Sequence, residues 1–331
     1  MNNKQTDFLA IGDITIDAFI KLKDVGVNCD IDHQNCKLCF NFGDKVPYES
    51  VTICNAVGNG PNAAVSASRL GLSSAVLTHI GNDQNGKDCL EELQKNNIDT
   101  QHVVIEENKH TNHNYVLWYD VDRTILTRHE AFTYNLNSIS VPKWIYFSSL
   151  GENSLPFHLE LAGFVEKNPE TKLAFQPGTF QIKAGVKALE KIYENTEIFF
   201  CNVEEAQKIL GEESRDLPTL LEKMALLGPK IVIITDGFNG AYAFDTRSGS
   251  KWFMPVYPHT PFESTGAGDA FASTIVSALA LGKTLEEALL WGPINSQSVV
   301  QYVGSQKGLL TQEKIQEFLT KAPENYKPVK I

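Results

Sequence analysis

Short apolar runs alternate along this chain with longer stretches of helical period, most regularly from Trp144 onward. Apolar runs at 144–147, 173–175, 198–201 and 231–235 are separated by helical segments at about 156–167, 182–193, 204–210 and 217–227. That alternation predicts a largely parallel sheet covered by helices. Upstream, residues 8–16 predict a strand ending at a polar turn, and a short strand begins at Val51. A small-residue helix follows at 63–70, closed by Gly71, then a strand at 76–80 and a helix at 88–96. An antiparallel pair at 241–245 and 252–256 leads to a glycine segment and three C-terminal helices. Two stretches depart from this order. Residues 21–48 are rich in Asp, Asn, Cys and Gly without helical period, and residues 102–128 contain the alternating run His113-Asn114-Tyr115-Val116-Leu117-Trp118-Tyr119. Both predict strands that leave the main body and pair beside it.

Composition narrows the class. The chain has 331 residues, 42% apolar and 21% charged, ordinary values for a globular protein with a substantial core. With 29 basic against 40 acidic residues, the formal net charge of −11 opposes a general nucleic-acid or anionic-membrane surface. A small anion held locally by backbone N–H groups is compatible with it. The most apolar helical run, 270–281, is well short of the roughly 20 residues a membrane span needs. The start of the chain lacks the regions of a signal peptide, so a cytoplasmic protein with reduced cysteines is expected.

Three of the six cysteines lie close together, as Cys29-x3-His33-x2-Cys36-x2-Cys39. The last pair has the spacing of a small zinc site. Only one CxxC is present, however, and we prefer a polar surface hairpin that happens to carry cysteines. Gly58-Asn59-Gly60-Pro61-Asn62-Ala63 fits G-x-G-x-x-A between a strand and a helix, the setting of a dinucleotide fingerprint. The acidic residue about 20 positions on, Asp83, falls in a turn and is poorly placed for a ribose. Residues 81–88 read G-x4-G-K-D, but a phosphate-binding P-loop needs a hydroxyl where Asp88 stands.

Residues 264–268, Ser264-Thr265-Gly266-Ala267-Gly268, stand immediately before the buried helical run. Backbone N–H groups at a helix start have no intrahelical partner, and glycines let an anion approach them. Asp269 lies in the first turn of the same helix. It could take a proton from an attacking hydroxyl beside that cradle, or it could cap the helix. The residues alone leave both readings open.

The segment Glu263-Ser264-Thr265-Gly266-Ala267-Gly268-Asp269-Ala270-Phe271 resembles the C-terminal signature of the PfkB carbohydrate kinase family, D-T-x-G-A-G-D-x-F. Glu263 stands where that family usually has Asp. The resemblance covers nearly the whole chain and implies an α/β, ribokinase-like, three-layer αβα sandwich with a mostly parallel sheet. It implies one catalytic domain over residues 1–331, with a small β lid formed by segments of about 18–50 and 102–128. Asp269 would be the catalytic base, and Gly266, Ala267 and Gly268 the anion hole. Gly12-Asp13-Ile14-Thr15-Ile16-Asp17 is similar to the opening strand, which places Asp17 on substrate hydroxyls. Residues 58–71 resemble the glycine motif G-G-x-G-x-N-x-A followed by R-L-G, with Val57 replacing the first glycine. Asn62 would then be a second hydroxyl ligand, and Gly58 and Gly60 would let the substrate lie against the backbone.

Further along, Asn202-Val203-Glu204-Glu205 resembles the family's N-x-x-E motif, which implies magnesium and its waters near Asn202 and Glu205. The same spacing is also that of a capping box. Thr235-Asp236-Gly237-Phe238-Asn239-Gly240 resembles the nucleotide loop, with Thr235 and Gly237 near phosphates, and the helix carrying Asn295 and Ser298 would border the adenine. The implied cofactors are ATP, Mg2+ and a monovalent cation. Zn2+ in the cysteine hairpin would stiffen the lid, which could also carry a homodimer contact.

The expected activity is ATP-dependent phosphorylation of a hydroxyl on a free sugar or sugar acid, by in-line transfer with an Asp base. A nucleoside is the rival acceptor, since Tyr115, Trp118 and Tyr119 offer stacking surfaces. A phosphorylated sugar is disfavoured by the scarcity of basic residues in the implied lid and pocket, where Lys45, Lys87, Arg123 and Arg128 are the candidates. Outside this class stand a catalytically idle sugar-binding or regulatory protein and a nicotinamide-dependent reductase.

Overall fold

The first strand, Phe8–Ile11 (β1), sends Phe8 and Ala10 into one apolar cluster and Leu9 and Ile11 into another. Trp144–Phe147 divides its side chains in the same way. A strand covered on both faces must be apolar throughout, and the period of two assigns alternate residues to opposite layers. The computed structural model describes residues 5–23, 25–29, 36–119, 122–136, 139–260 and 262–331. Its strands are, after β1, Thr15–Leu22 (β2), Gly26–Asn28 (β3), Lys37–Cys39 (β4), Tyr48–Val57 (β5), Ser74–Gly81 (β6), Val103–Glu106 (β7), Asn112–Tyr119 (β8) and Asp122–Leu126 (β9). Then follow Trp144–Phe147 (β10), Lys172–Phe175 (β11), Thr196–Asn202 (β12), Ile231–Thr235 (β13), Ala241–Asp245 (β14), Ser250–Met254 (β15) and Val329–Lys330 (β16).

The main sheet has ten strands in the order β16-β15-β14-β13-β12-β11-β10-β1-β6-β7. All neighbours from β13 to β7 are parallel, and the β14–β16 side is antiparallel. Helices Asn59–Arg69, Ala267–Ala280 and Leu285–Val299 cover one face. Leu155–Lys167, Val203–Leu210 and Leu217–Ala225 cover the other. Each fully buried Leu, Ile or Phe in these layers contributes about 1.5–3 kcal/mol relative to exposure. The helix Ala267–Ala280 is buried nearly all round, and its residues Ser273 and Ser277 bond within the helix, the Ser277 hydroxyl donating to the Ser273 carbonyl at 2.7 Å.

A second sheet of four strands, in the order β5-β2-β8-β9, stands over one end of the main sheet. Three expectations from the sequence change here. The run 8–16 is two strands, β1 in the main sheet and β2 in the four-stranded one, with the chain turning at Gly12 and Asp13. Within 102–128, Val103–Glu106 belongs to the edge of the main sheet, because its partner is β6. The third concerns the cysteines. Cys29 and Cys36 are joined as a disulfide at the ends of the two-stranded hairpin β3–β4, and Cys39 is a free thiol. His33 lies outside the described residues. A disulfide consumes two of the four proposed ligands, so the zinc reading gives way to the hairpin preferred from the sequence, and the expectation of reduced cysteines gives way at Cys29 and Cys36 while Cys39, Cys54, Cys89 and Cys201 are free thiols.

Candidate active site

The parallel strands of the main sheet end on one cavity of about 480 Å³. Asp13 follows β1, Ser149 follows β10, Gln176 follows β11, Asn202 closes β12 and Thr235 closes β13, and all of them line it. Ligands in open α/β sheets bind at this end of the strands. The four-stranded sheet forms the opposite wall. Thr15 pairs with Asn112 and Asp17 with Asn114 in the β2–β8 register, so the period of two points all four side chains to the cavity. Arg123 and Ile125 of β9 complete this wall.

The helix Ala267–Ala280 begins against the cavity. Gly266 has φ +81, and a Cβ there would lie 2.4 Å from the Cβ of Ser305. Ala270 N–H is bonded to Gly266 C=O at 2.9 Å, so the N–H groups of Ala267, Gly268 and Asp269 precede the helical ladder. Asp269 is only 8% exposed. Its Oδ1 accepts from Asn59 Nδ2 at 2.7 Å and from Gln176 Nε2 at 3.4 Å, and its Oδ2 accepts from Asn62 Nδ2 at 2.8 Å. Burial pushes its pKa up against the pull of these donors. All three bonds run to side chains, which sets aside the helix-capping reading. Asn62 is held in turn, its Oδ1 accepting from the Ser305 hydroxyl at 2.8 Å and the Gln306 amide at 3.0 Å.

A second cavity, of about 490 Å³, opens on the other side of the helix start, with Phe238, Met254, Val256, Phe262, Pro293 and Val300 among its walls. Thr235, Ser264, Ala267, Gly268 and Phe271 line both cavities. The unbonded N–H groups therefore stand where a polar cavity and an apolar one meet.

The structure sorts the other sequence-derived residues. Gly237 lines the apolar cavity. Gly58 lines the polar one at φ +118, where a Cβ would strike the Asp13 carbonyl at 2.4 Å. Gly60 lines neither, because its small size serves backbone packing, with Gly12 N only 2.9 Å from a Cβ placed there. Asn295 and Ser298 also line neither cavity. Asn295 is fully buried, donating to the Thr274 hydroxyl at 2.7 Å and accepting from Leu310 N–H at 2.8 Å. The cavity face of that helix carries Ser296 and Gln297, a helical phase error in the sequence reading. Asn202 and Glu205 form the reciprocal capping box, at 2.8 and 2.9 Å, and line the polar cavity as well.

Burial also sets the acidity of the polar cavity. It pushes Asp17 up to about 6, against the Asn114 amide donating at 3.0 Å; nearby Glu263 adds to the rise and Arg123 opposes it. Burial takes Asp13 up to about 7 despite the Tyr134 hydroxyl donating to it at 2.8 Å. Burial raises Glu205 as well, and the charge of Asp269 adds to it. Glu263 is 4% exposed; its Oε1 accepts from Thr265 N–H at 2.8 Å and from the Thr265 hydroxyl at 2.5 Å. Arg123 lies 3.7 Å from Glu263 Oε1 and donates to the Ser264 hydroxyl, tying the four-stranded sheet to the loop before Gly266. Glu263 Oε2 is buried with no hydrogen-bond partner among the described residues.

Asn59, Gln176 and Asp13 were missed by motif reading. Position just past the carboxyl end of a parallel strand is a signal that would have found Gln176 and Asp13, which lie directly beyond β11 and β1. Asn59 has no such signal, because its contact with Asp269 joins residues 210 positions apart.

Comparison with known proteins agrees with this geometry. The sequence profile of the pfkB family of carbohydrate kinases matches residues 27–312. Mouse (Mus musculus) ribokinase is 27% identical over 75% of this chain and 79% of its own length. The 5-dehydro-2-deoxygluconokinase of Bacillus subtilis is 24% identical over 82% of this chain and 89% of its own. The crystal structure of Methanocaldococcus jannaschii nucleoside kinase superposes with a TM-score of 0.76 at 21% identity, covering 96% of this chain and 99% of that one.

Proposed function

The chain belongs to the pfkB family of carbohydrate kinases and has its ribokinase-like α/β fold; from that premise we propose that it transfers the terminal phosphoryl group of ATP to a hydroxyl of a free sugar or sugar acid. One observation carries the reading. The Ala267–Gly268 helix start is a wall common to an apolar cavity suited to a nucleotide base and a polar cavity suited to a hydroxylated acceptor, with the Asp269 carboxylate on the acceptor side.

In this reading Asp17, Asn112 and Asn114 hold acceptor hydroxyls. A carboxylate offers about four acceptor sites. Three are taken by Asn59, Asn62 and Gln176, which leaves Asp269 one for the hydroxyl that will react. As the acceptor oxygen bonds to phosphorus and the bridging oxygen leaves with ADP, the hydroxyl proton passes to Asp269. The N–H groups at Ala267 and Gly268 offset charge on the transferring group. The Arg123 contact with Ser264 keeps the four-stranded sheet closed as a lid, which excludes water from the transfer.

Magnesium fits Glu205, whose carboxylate faces the cavity while one oxygen is fixed by Asn202 N–H. Among the described residues no cluster of three His, Cys, Asp or Glu could hold a metal alone, and Mg2+ ordinarily takes one or two carboxylates plus phosphates and water. Bound there, it would neutralise polyphosphate charge. The unpartnered Glu263 Oε2 suits a monovalent cation beside the cradle.

A sugar is favoured over a nucleoside because Tyr115, Trp118 and Tyr119, the candidates for base stacking, do not line the polar cavity. Of the basic candidates Lys45, Lys87, Arg123 and Arg128, Arg123 alone among the described residues lines it, and it is already engaged by Ser264 and Glu263, which argues against a phosphorylated acceptor. The test is ADP release with ATP and Mg2+ over a panel of free sugars, sugar acids, sugar phosphates and nucleosides. Release that depends on a sugar or sugar acid is expected. Release with nucleosides alone would move the acceptor to that class, and none with any acceptor would overturn the kinase reading.

A further inference from the structure

The walls of the apolar cavity bear on a question that the transfer chemistry leaves open, which nucleotide donates. Reading a base requires polar groups fixed opposite its edge, and a site built that way rejects the wrong partner by about 10⁴–10⁵, whereas an apolar pocket discriminates by only about 10². Here most of the surface around a base would be aliphatic or aromatic, from Phe238, Met254, Val256, Phe262, Pro293 and Val300. Several main-chain groups of the wall are spent on the fold. Val300 C=O accepts from Phe262 N–H at 2.8 Å and Glu263 N–H at 3.0 Å, Val300 N–H donates to Ser296 C=O, and Gly240 N–H donates to Gly237 C=O.

The side chains that remain are ambidextrous. The Gln297 amide has a donor at one end and an acceptor at the other, and a half-turn exchanges them, while the Ser296 hydroxyl rotates to donate or accept. Adenine offers a donor at N6, where guanine and hypoxanthine offer an acceptor at O6. One amide turn satisfies either. His259 is occupied on one side, its Nδ1 donating to the Tyr257 carbonyl at 2.7 Å, so its ring presents a face and one nitrogen. Its tilted contact with Phe238, with centroids 6.0 Å apart, forms an aromatic corner that any purine can fill. Thr235, Glu263 and Ser264 are the other polar residues of this wall; Ser264 is engaged by Arg123 and one Glu263 oxygen by Thr265, while the Thr235 hydroxyl, like that of Ser296, can donate or accept.

We propose that the donor site selects a purine nucleoside triphosphate by its shape and phosphates and does not distinguish adenine from guanine or hypoxanthine, with Gln297 as the group that adapts. The proposal rests on the kinase reading above, and the experiment separates the two. With the acceptor that supports ADP release, kcat/KM is measured for ATP, GTP and ITP. Binding of AMP-PNP and GMP-PNP to the purified chain with Mg2+ is measured by calorimetry. The three donors are expected within about 10-fold of one another, and the two analogues within about 10-fold in Kd. A preference for ATP above about 100-fold, in turnover or in binding, overturns the proposal while leaving the kinase reading intact. Transfer from no donor overturns that reading, and calorimetry then still decides whether the site distinguishes the bases. Gln297→Ala is expected to raise KM for ATP and GTP by similar factors; a loss confined to one of them contradicts the assigned role.

Discussion

Two glycines of the anion cradle, on either side of Ala267, should respond to alanine in opposite ways. Gly266 sits at φ +81, a region that costs an alanine about 1–2 kcal/mol. Its added Cβ would also lie 2.4 Å from Ser305 Cβ and 2.7 Å from Ser305 Cα, an overpacking that costs about 1–3 kcal/mol. Gly266→Ala should therefore lose roughly 2–5 kcal/mol and lower Tm by roughly 3–7 °C. Gly268 has no such strain. Its Cβ would meet only Gln176 Nε2, at an ordinary 3.8 Å, and alanine within a helix gains about 0.5–1 kcal/mol over glycine. The methyl group would, however, stand on the wall common to both cavities, where a phosphoryl oxygen must approach the N–H groups. A displacement near 1 Å costs on the order of 10² in rate. Gly268→Ala should thus keep or raise Tm while losing about 100-fold in kcat/KM. Thermal denaturation with acceptor-dependent ADP release on the same preparations checks both. Wild-type Tm for Gly266→Ala, or wild-type turnover for Gly268→Ala, would refute the placement of the cradle.

Burial holds Asp13 up to about 7, so the folded state binds its proton more tightly than the unfolded chain, whose carboxyl keeps the ordinary value of 3.8. Its ionisation then opposes folding fully above pH 7, and the penalty fades as pH falls toward 3.8. Asp13→Asn should be more stable than wild type at pH 8, by at most about 4 kcal/mol, and show little gain at pH 4 by denaturant titration. Asn295→Ala strips Leu310 N–H of its partner and should cost about 1–3 kcal/mol while KM for ATP stays within about 2-fold, as a structural residue requires. The outer face of the four-stranded sheet exposes Val51, Ile53, Tyr115 and Leu126. Sedimentation velocity should find a dimer through this face that Ile53→Lys dissociates; a monomeric wild type removes that expectation.

The alternation of apolar runs and helical segments made the parallel layers legible, because doubly covered strands must be apolar throughout. It could not show that 8–16 is broken at Gly12 and Asp13, since buried Ile14 and Ile16 continue the apolar run past the turn and only the different partners of β1 and β2 separate them. The Gly266–Asp269 segment was legible because helix starts have local chemistry. The neighbours of Asp269 were not, as Asn59, Asn62 and Gln176 arrive from distant elements. Asn295 and Ser298 do not line the cavity to which their helix presents Ser296 and Gln297, because a buried amide bonded to Thr274 has the same sequence appearance as one facing a ligand. The cysteine spacing suited zinc, but ligand spacing carries no information on which two thiols will meet.

The central claim is that Asp269 takes the acceptor's proton. Asp269→Asn keeps the size of the side chain and sets one amide against the three that now donate to the carboxylate, a local loss of about 1 kcal/mol that leaves the fold standing. Single-turnover phosphoryl transfer by this variant, with circular dichroism to verify folding, should fall by about 10²–10⁴. A folded Asp269→Asn protein transferring within about 3-fold of the wild-type rate would contradict the account.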